Sequence, residues 1–199
     1  MKIDLHMHTK ERSGCAAHYA EDMIRAARAA GLDGVAISDH DRLVSRGEMM
    51  RLRERHAPFH LFTGIEVTTL EDEHVLVHGL PDPRLESKTW SYAELHAFVR
   101  AAGACLILAH PYRFHDLSID VEKLPPDAIE LRSGNIRDEL HPRIRALIER
   151  VGCATVYCSD AHHRDRVGYG YIELDRPAAS DQELIEVLKT RAFHLPFLS

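Results

Sequence analysis

Met23-Ile24-Arg25-Ala26-Ala27-Arg28-Ala29-Ala30-Gly31-Leu32-Asp33-Gly34-Val35-Ala36-Ile37-Ser38-Asp39-His40 is the stretch that decides the fold. Met23, Ile24, Ala27 and Ala30 recur at helical spacing, Gly31 stops the helix, and Gly34 to Ser38 reads as a short buried strand. The pattern predicts a helix over 18–30 and a strand over 34–38, with Asp39 and His40 just past the strand. The same grammar recurs downstream. Ser91 and Glu94 make a candidate capping box for a helix bearing Leu95, Phe98, Val99 and Ala102, Gly103 stops it, and Ala104 to Ala109 reads as a buried strand. Arg143 to Val151, Gly152 and Cys153 to Cys158 repeat it. Ser180 and Glu183 cap a last helix with Leu184, Val187 and Leu188. Further strands are expected at Phe59 to Phe62 leading into Gly64-Ile65-Glu66, at His74 to Val77 and at Ala128 to Leu131. Strand-like runs alternating with helical patterns predict an α/β chain with a parallel sheet of βα units.

A chain of 199 residues suits one domain, 1–199, with a full core. No apolar run reaches the length of a bilayer span and no secretory leader is indicated, so a cytoplasmic protein without a membrane partner is expected. Cys15, Cys105, Cys153 and Cys158 form no C-x-x-C pair and read as free thiols. With 25 basic against 31 acidic residues, the net charge of −6 argues against extended nucleic acid and favours a small anion drawn to a bound cation. Oligomeric state is not readable.

The polar residues that stand out sit mostly where strands end. His6 and His8, two apart after Lys2-Ile3-Asp4-Leu5, point the same way if extended, and Asp160 and His162 repeat that spacing after Cys153 to Cys158. His40, Glu66 and His110 also lie at or near the carboxyl ends of predicted strands, the end where α/β enzymes place their chemistry. His74 is the exception, because it opens its strand. Each piece has a plain structural reading: a strand pair for His6 and His8, a turn or cap for Asp39-His40, an exposed strand position for Glu66, a loop histidine for His162. Taken jointly they would require many coincidences. Imidazoles with carboxylates are the donor set of zinc, manganese or iron. His56, His60, His96, His115, His141, His163 and His194 fall outside this set and read as surface or loop residues, and Arg51 to Arg55 as the solvated face of a helix.

Asp4-Leu5-His6-Met7-His8-Thr9, Ile37-Ser38-Asp39-His40-Asp41, Gly64-Ile65-Glu66, His74-Val75-Leu76-Val77-His78-Gly79-Leu80, Ala109-His110-Pro111-Tyr112-Arg113 and Ser159-Asp160-Ala161-His162 stand in an order that resembles the PHP (polymerase and histidinol phosphatase) family of the amidohydrolase superfamily, over nearly the whole chain. The resemblance implies a distorted (β/α)7 barrel carrying two divalent transition-metal ions (Mn, Zn or Fe), with a third position beside them. It implies that His6, His8, Glu66 and Asp160 hold the first ion. Glu66 would bridge to a second ion held by His74 and His110, and His40 and His162 would approach the third or act on substrate. The loop Lys10 to His18 lacks the histidine or aspartate that many relatives carry there, and Cys15 and His18 are the substitutes it offers. His74 and His78 share strand parity. The family pattern selects His74.

The function implied is metal-dependent hydrolysis of a small phosphoester by metal-bound hydroxide, with a small phosphorylated substrate as partner. Arg113, after His110-Pro111, is the first candidate for gripping phosphate, Lys10 the next and Arg132 the third. His40 and His162 are candidates for proton transfer. An amidohydrolase or lactonase on the same metal site, a nuclease acting on nucleic-acid ends and a noncatalytic PHP scaffold are the alternatives.

Overall fold

The computed structural model describes residues 1–196. Nine strands form one curled sheet in the order β7-β6-β5-β4-β3-β2-β1-β8-β9. They are β1 (Lys2–Met7), β2 (Gly34–Ile37), β3 (His60–Thr68), β4 (His74–His78), β5 (Cys105–Leu108), β6 (Ala128–Arg132), β7 (Ala154–Tyr157), β8 (Ile172–Leu174) and β9 (Phe193–His194). Five helices accompany them: α1 (Ala20–Ala29), α2 (Arg46–His56), α3 (Tyr92–Ala101), α4 (His141–Val151) and α5 (Asp181–Thr190). The helix ends follow the sequence grammar. The Ser91 and Glu94 box forms as expected, Ser180 Oγ accepts from Glu183 N, and Gly152 closes α4 with φ 71°, a left-handed conformation that glycine adopts without a Cβ clash.

The sheet is not uniformly parallel, which corrects the expectation of simple βα repetition. β1, β2 and β3 run parallel, as do β5, β6 and β7, but β4 is antiparallel to both β3 and β5. The six parallel strands therefore end on one rim, and the amino end of β4 lies on that same rim. His74 is thus no exception: a reversed strand presents its first residue where the others present their last. β8 and β9 add an antiparallel margin beside β1.

The sheet curls so that the segment after β7 reaches β1 at this rim. Met7 bridges Ala161, His8 N donates to Ala161 O at 3.0 Å, and Ser159 N donates to Asp4 Oδ1 at 3.0 Å. The register of β1 on β2 shifts between Asp4 and Met7, and Asp4 Oδ1 accepts His6 N at 3.1 Å across that irregularity. One buried carboxylate thus ties down both the bulge that aims His6 and the turn that carries Asp160.

α5 packs Leu184, Ile185, Val187 and Leu188 against Leu5, Ala36, Phe62, Leu76, Ile107 and Val156, while α1 and α2 form a second core with Met7, Val35 and Ile37. α3 and α4 cover β4 to β6 in a third. Each fully buried leucine or isoleucine contributes about 1.5–3 kcal/mol. Close approach at β7 depends on Gly170, where an added Cβ would stand 2.1 Å from Cys158 O. Gly170→Ala is expected to cost about 3 kcal/mol through overpacking, or roughly 6–12 °C in Tm for a domain of this size, read by calorimetry. An unchanged Tm would show that the 168–170 segment is not held against β7.

No described helix is long and apolar enough to cross a membrane. His56 departs from the surface reading: it is buried at the end of α2, with Nε2 2.9 Å from Glu21 Oε2 on α1.

Candidate metal centre

Glu66 lies near the end of β3, fully buried, and imidazoles from four other segments meet it. His74 Nδ1 from β4 and His110 Nε2 from beyond β5 each lie 2.9 Å from Oε1. His40 Nδ1 lies 2.8 Å from Oε2, and His6 Nε2 and His8 Nε2 lie 3.4 Å from it. The two oxygens therefore face different sets of rings. Asp160 enters from the far side, with Oδ1 3.1 Å from His8 Nε2 and 3.4 Å from His6 Nε2. His162 stands at the edge, Nδ1 donating to the Asp160 carbonyl at 3.0 Å, its ring 4.1 Å from that of His8.

Backbone conformation aims two of these groups. His110 and Asp160 take left-handed φ values of 26° and 49°. Such residues cost about 1–3 kcal/mol each and persist where surrounding contacts fix them. Here His110 N donates to Glu130 Oε2 at 2.8 Å, and Asn135 Nδ2 donates to Asp160 O and Oδ2 at 3.0 and 2.8 Å.

Donors that would fit a cation converge in four overlapping sets: His6, His8 and Asp160; His6, Glu66 and His110; His40, Glu66 and His74; and His8, His40 and His162. Nitrogen and oxygen atoms around a tetrahedral ion, at about 2.0–2.2 Å from it, stand about 3.3 Å apart. The Glu66 and Asp160 contacts to the rings, at 2.8–3.4 Å, are close to that spacing. His6 Nε2 and His8 Nε2 are 3.0 Å apart. Glu66 Oε2 is a buried acceptor with no hydrogen bond despite the nearness of His40. Buried acceptors without a bond are uncommon, and a cation would satisfy this one.

The surroundings keep both carboxylates ionised. Burial alone would push Glu66 up, but His6 beside it and the His110 hydrogen bond hold it well below the usual carboxylate range. Asp160 is likewise depressed: burial opposes, but His6 and the bond with His8 outweigh it. His8 is pushed down to about 4 by burial, which keeps it neutral with lone pairs for coordination. Burial also lowers His6, but Asp160, Glu130 and Glu66 outweigh it and hold the ring well above its usual value.

The sequence expectations fall into place unevenly. His6, His8, His40, Glu66, His74, His110, Asp160 and His162 are brought together. His78 is not: it is buried beside Gly64 with neither ring nitrogen bonded, and burial lowers it to about 4. Arg113 reaches the site, its Nη1 donating to Asp160 Oδ2 at 3.3 Å and its guanidinium lying over Phe114. Lys10 is exposed and its ammonium sits over Tyr19, 5.4 Å from the ring centre. Arg132 lines a neighbouring cavity of about 220 Å³ with Ser133, Tyr157, Cys158 and Tyr169.

Glu130 was missed as a supporting carboxylate, and Asp39, read as a turn or cap, is another. Glu130 Oε1 accepts from His6 Nδ1 at 2.7 Å while its Oε2 takes the His110 amide, so one buried group holds candidate ligands from two segments. Its signal was a charge between Ile129 and Leu131 in an otherwise apolar strand. Asp39 is buried and holds Thr9 N, Ser13 Oγ and Arg12 Nε at 2.6–2.8 Å, fixing the loop after β1.

The PHP-associated family model matches residues 139–193, which contain Asp160 and His162. No curated protein matches the chain in sequence. Among solved structures, a two-domain protein from Bacteroides vulgatus containing a predicted PHP-like metal-dependent phosphoesterase superposes with TM-score 0.72 at 18% identity, covering 97% of this chain and 63% of that one. The chain thus spans less than two thirds of that protein. A candidate metal-dependent phosphoesterase from Bifidobacterium adolescentis gives 0.65 at 17% identity, covering 94% and 95%. An amidohydrolase from Chromobacterium violaceum, with bound sulfate and no metal, gives 0.67 at 16% identity, covering 98% of each chain. The segment match and the shared architecture together place this chain among proteins of the PHP-like fold.

Proposed function

We propose that this protein is a metal-dependent hydrolase of small phosphoesters, built on the distorted barrel that its curled sheet approximates. The observation that carries the reading is Glu66, whose two oxygens face separate groups of imidazoles and so suit a carboxylate shared between two divalent ions, manganese, zinc or iron. His6, His8 and Asp160 complete one side, and His74 and His110 the other. His40 and His162 flank a third position. Bound there, such ions supply Lewis acidity and a water acidic enough to ionise near neutral pH.

The chain's own groups do the rest. Arg113 points its guanidinium at the Asp160 edge of the cluster, where it would bind phosphate oxygens and hold their charge as the P–O bond breaks. Without an ion at the third position, the half-buried His40 and His162 would instead hand a proton to the departing alcohol oxygen. The Chromobacterium relative, called an amidohydrolase, motivates the second reading, hydrolysis of C–N or lactone bonds at the same centre.

The test is turnover of a phosphomonoester panel, with manganese, zinc or iron restored after chelation. Activity that vanishes with the chelator and returns with the ion is expected. A fully metallated protein inert on every phosphoester but active on amides or lactones would replace the first reading with the second. Glu130→Gln is expected to weaken metal binding about 10–100-fold, because an amide can no longer hold His6 Nδ1–H as a charged acceptor. Competition against a chromophoric chelator measures this directly, and unchanged affinity would make Glu130 a packing group only.

A further inference from the structure

A second pair of imidazoles stands outside the cluster around Glu66. His18 ends the loop between β1 and α1, and His163 follows the turn after β7. Their Nε2 atoms face each other at 3.1 Å, with the rings 72° apart. His163 Nδ1–H donates to Asp165 Oδ1 at 2.7 Å, so Nε2 is the ring nitrogen left facing His18. The main chain on both sides is tied down as well. Lys10 N donates to His18 O at 2.9 Å, Ala17 N to His162 O at 2.8 Å and Arg166 N to His163 O at 3.0 Å.

We propose that His18 and His163 form a separate transition-metal site that chelates one Zn²⁺ between their Nε2 atoms, with Asp165 as the outer carboxylate and solvent completing the shell. Three features support it. Imidazole nitrogens are ligands of choice for zinc. The gap of 3.1 Å is close to the about 3.3 Å that separates two donors on a tetrahedral ion. A carboxylate on the opposite nitrogen is the usual arrangement behind a zinc-bound histidine. Both rings are accessible, so the ion can enter and water can fill its other positions. Occupied, the site would clasp the 10–18 loop to the segment after β7. Those two pieces border His162, so the zinc would brace the mouth of the main centre without belonging to it. The alternative is a direct N–H···N hydrogen bond across the gap.

The site is tested by equilibrium dialysis of the full chain against micromolar Zn²⁺, with zinc per chain counted by elemental analysis. His18→Ala and His163→Ala are each expected to hold one equivalent fewer than the unaltered protein, and Asp165→Asn to bind that equivalent about tenfold more weakly. Glu66→Ala separates the two centres: it loses zinc from the cluster while keeping the equivalent that His163→Ala removes. Thermal transitions in chelator, unchanged by the histidine substitutions, establish that the variants fold. Equal zinc content in His163→Ala and the unaltered protein would overturn the proposal and assign the gap to a hydrogen bond.

Discussion

Glu66→Ala is expected to lower phosphoester turnover by about 10³-fold or more and to reduce the metal held per chain. Loss of a single hydrogen-bond donor to a transition state costs about 10²–10³ in kcat, and Glu66 does more than one donor does. Its two oxygens are within 2.8–3.4 Å of His40, His74, His110, His6 and His8. Removing it takes away a carboxylate shared by two sets of rings and leaves Asp160 to balance whatever cation remains. Glu66→Gln keeps the shape and removes the charge, so a loss of similar size there assigns the effect to the anion. His78→Ala is the control. That ring is as buried as Glu66, yet neither nitrogen is hydrogen-bonded to any residue of the cluster, so its removal is expected to change turnover by less than about tenfold per folded molecule while lowering Tm through the cavity left behind. Steady-state kinetics with metal content measured on the same samples decides. Equal losses for the two variants would show that Glu66 is a buried structural acid and that the centre lies elsewhere.

What the sequence exposed was local. Helix caps at Ser91 and Ser180, the glycine stop at 152 and the strand after Gly34 depend on neighbours within a few residues, and all form as read. The candidate site residues stood out as imidazoles and carboxylates recurring at strand ends in the order of a known family, and seven of them lie together around Glu66 or at its edge. Strand direction was not legible, because a period of two looks the same whichever way a strand runs. That is why His74 stood out as misplaced until β4 proved antiparallel. β8 and β9 went unseen because three and two residues are too short to show a period. Long-range partners were hidden for a different reason. Glu130 meets His6 across 124 positions of chain and Asp4 meets Ser159 across 155, separations at which spacing carries no information. The remaining trace of them is a charged residue inside an apolar run, Ile3-Asp4-Leu5 and Ile129-Glu130-Leu131, where desolvating an unpartnered carboxylate would be too costly for a stable core. His56 was misread by the same blindness: a histidine in a polar helix end looks exposed until Glu21 of another helix covers it.

Arg113→Ala is expected to separate the two hydrolytic readings. If the substrate is a phosphoester, losing this cation should cost about 10²–10³-fold in kcat/KM, since charge that builds on the phosphoryl oxygens would lose a preorganised donor. If the bond cleaved is an amide or lactone, no dianion needs holding and the loss should stay within about tenfold. The geometry makes the substitution clean. Arg113 Nη1 makes a single long contact of 3.3 Å with Asp160 Oδ2, which Asn135 Nδ2 also approaches at 2.8 Å, so Asp160 keeps a donor when the guanidinium is gone. The side chain is partly exposed and lies over Phe114, itself at the surface, so little core is disturbed. Arg113→Lys sharpens the result. A lysine keeps the charge but not the fork that matches two phosphate oxygens, so partial rescue, between the unaltered protein and the alanine variant, is expected for a phosphoester. Full activity of Arg113→Ala on the best phosphoester found would remove phosphate binding from this residue and, with it, the main support that the chain's own cations lend to phosphoester cleavage over hydrolysis of a neutral bond.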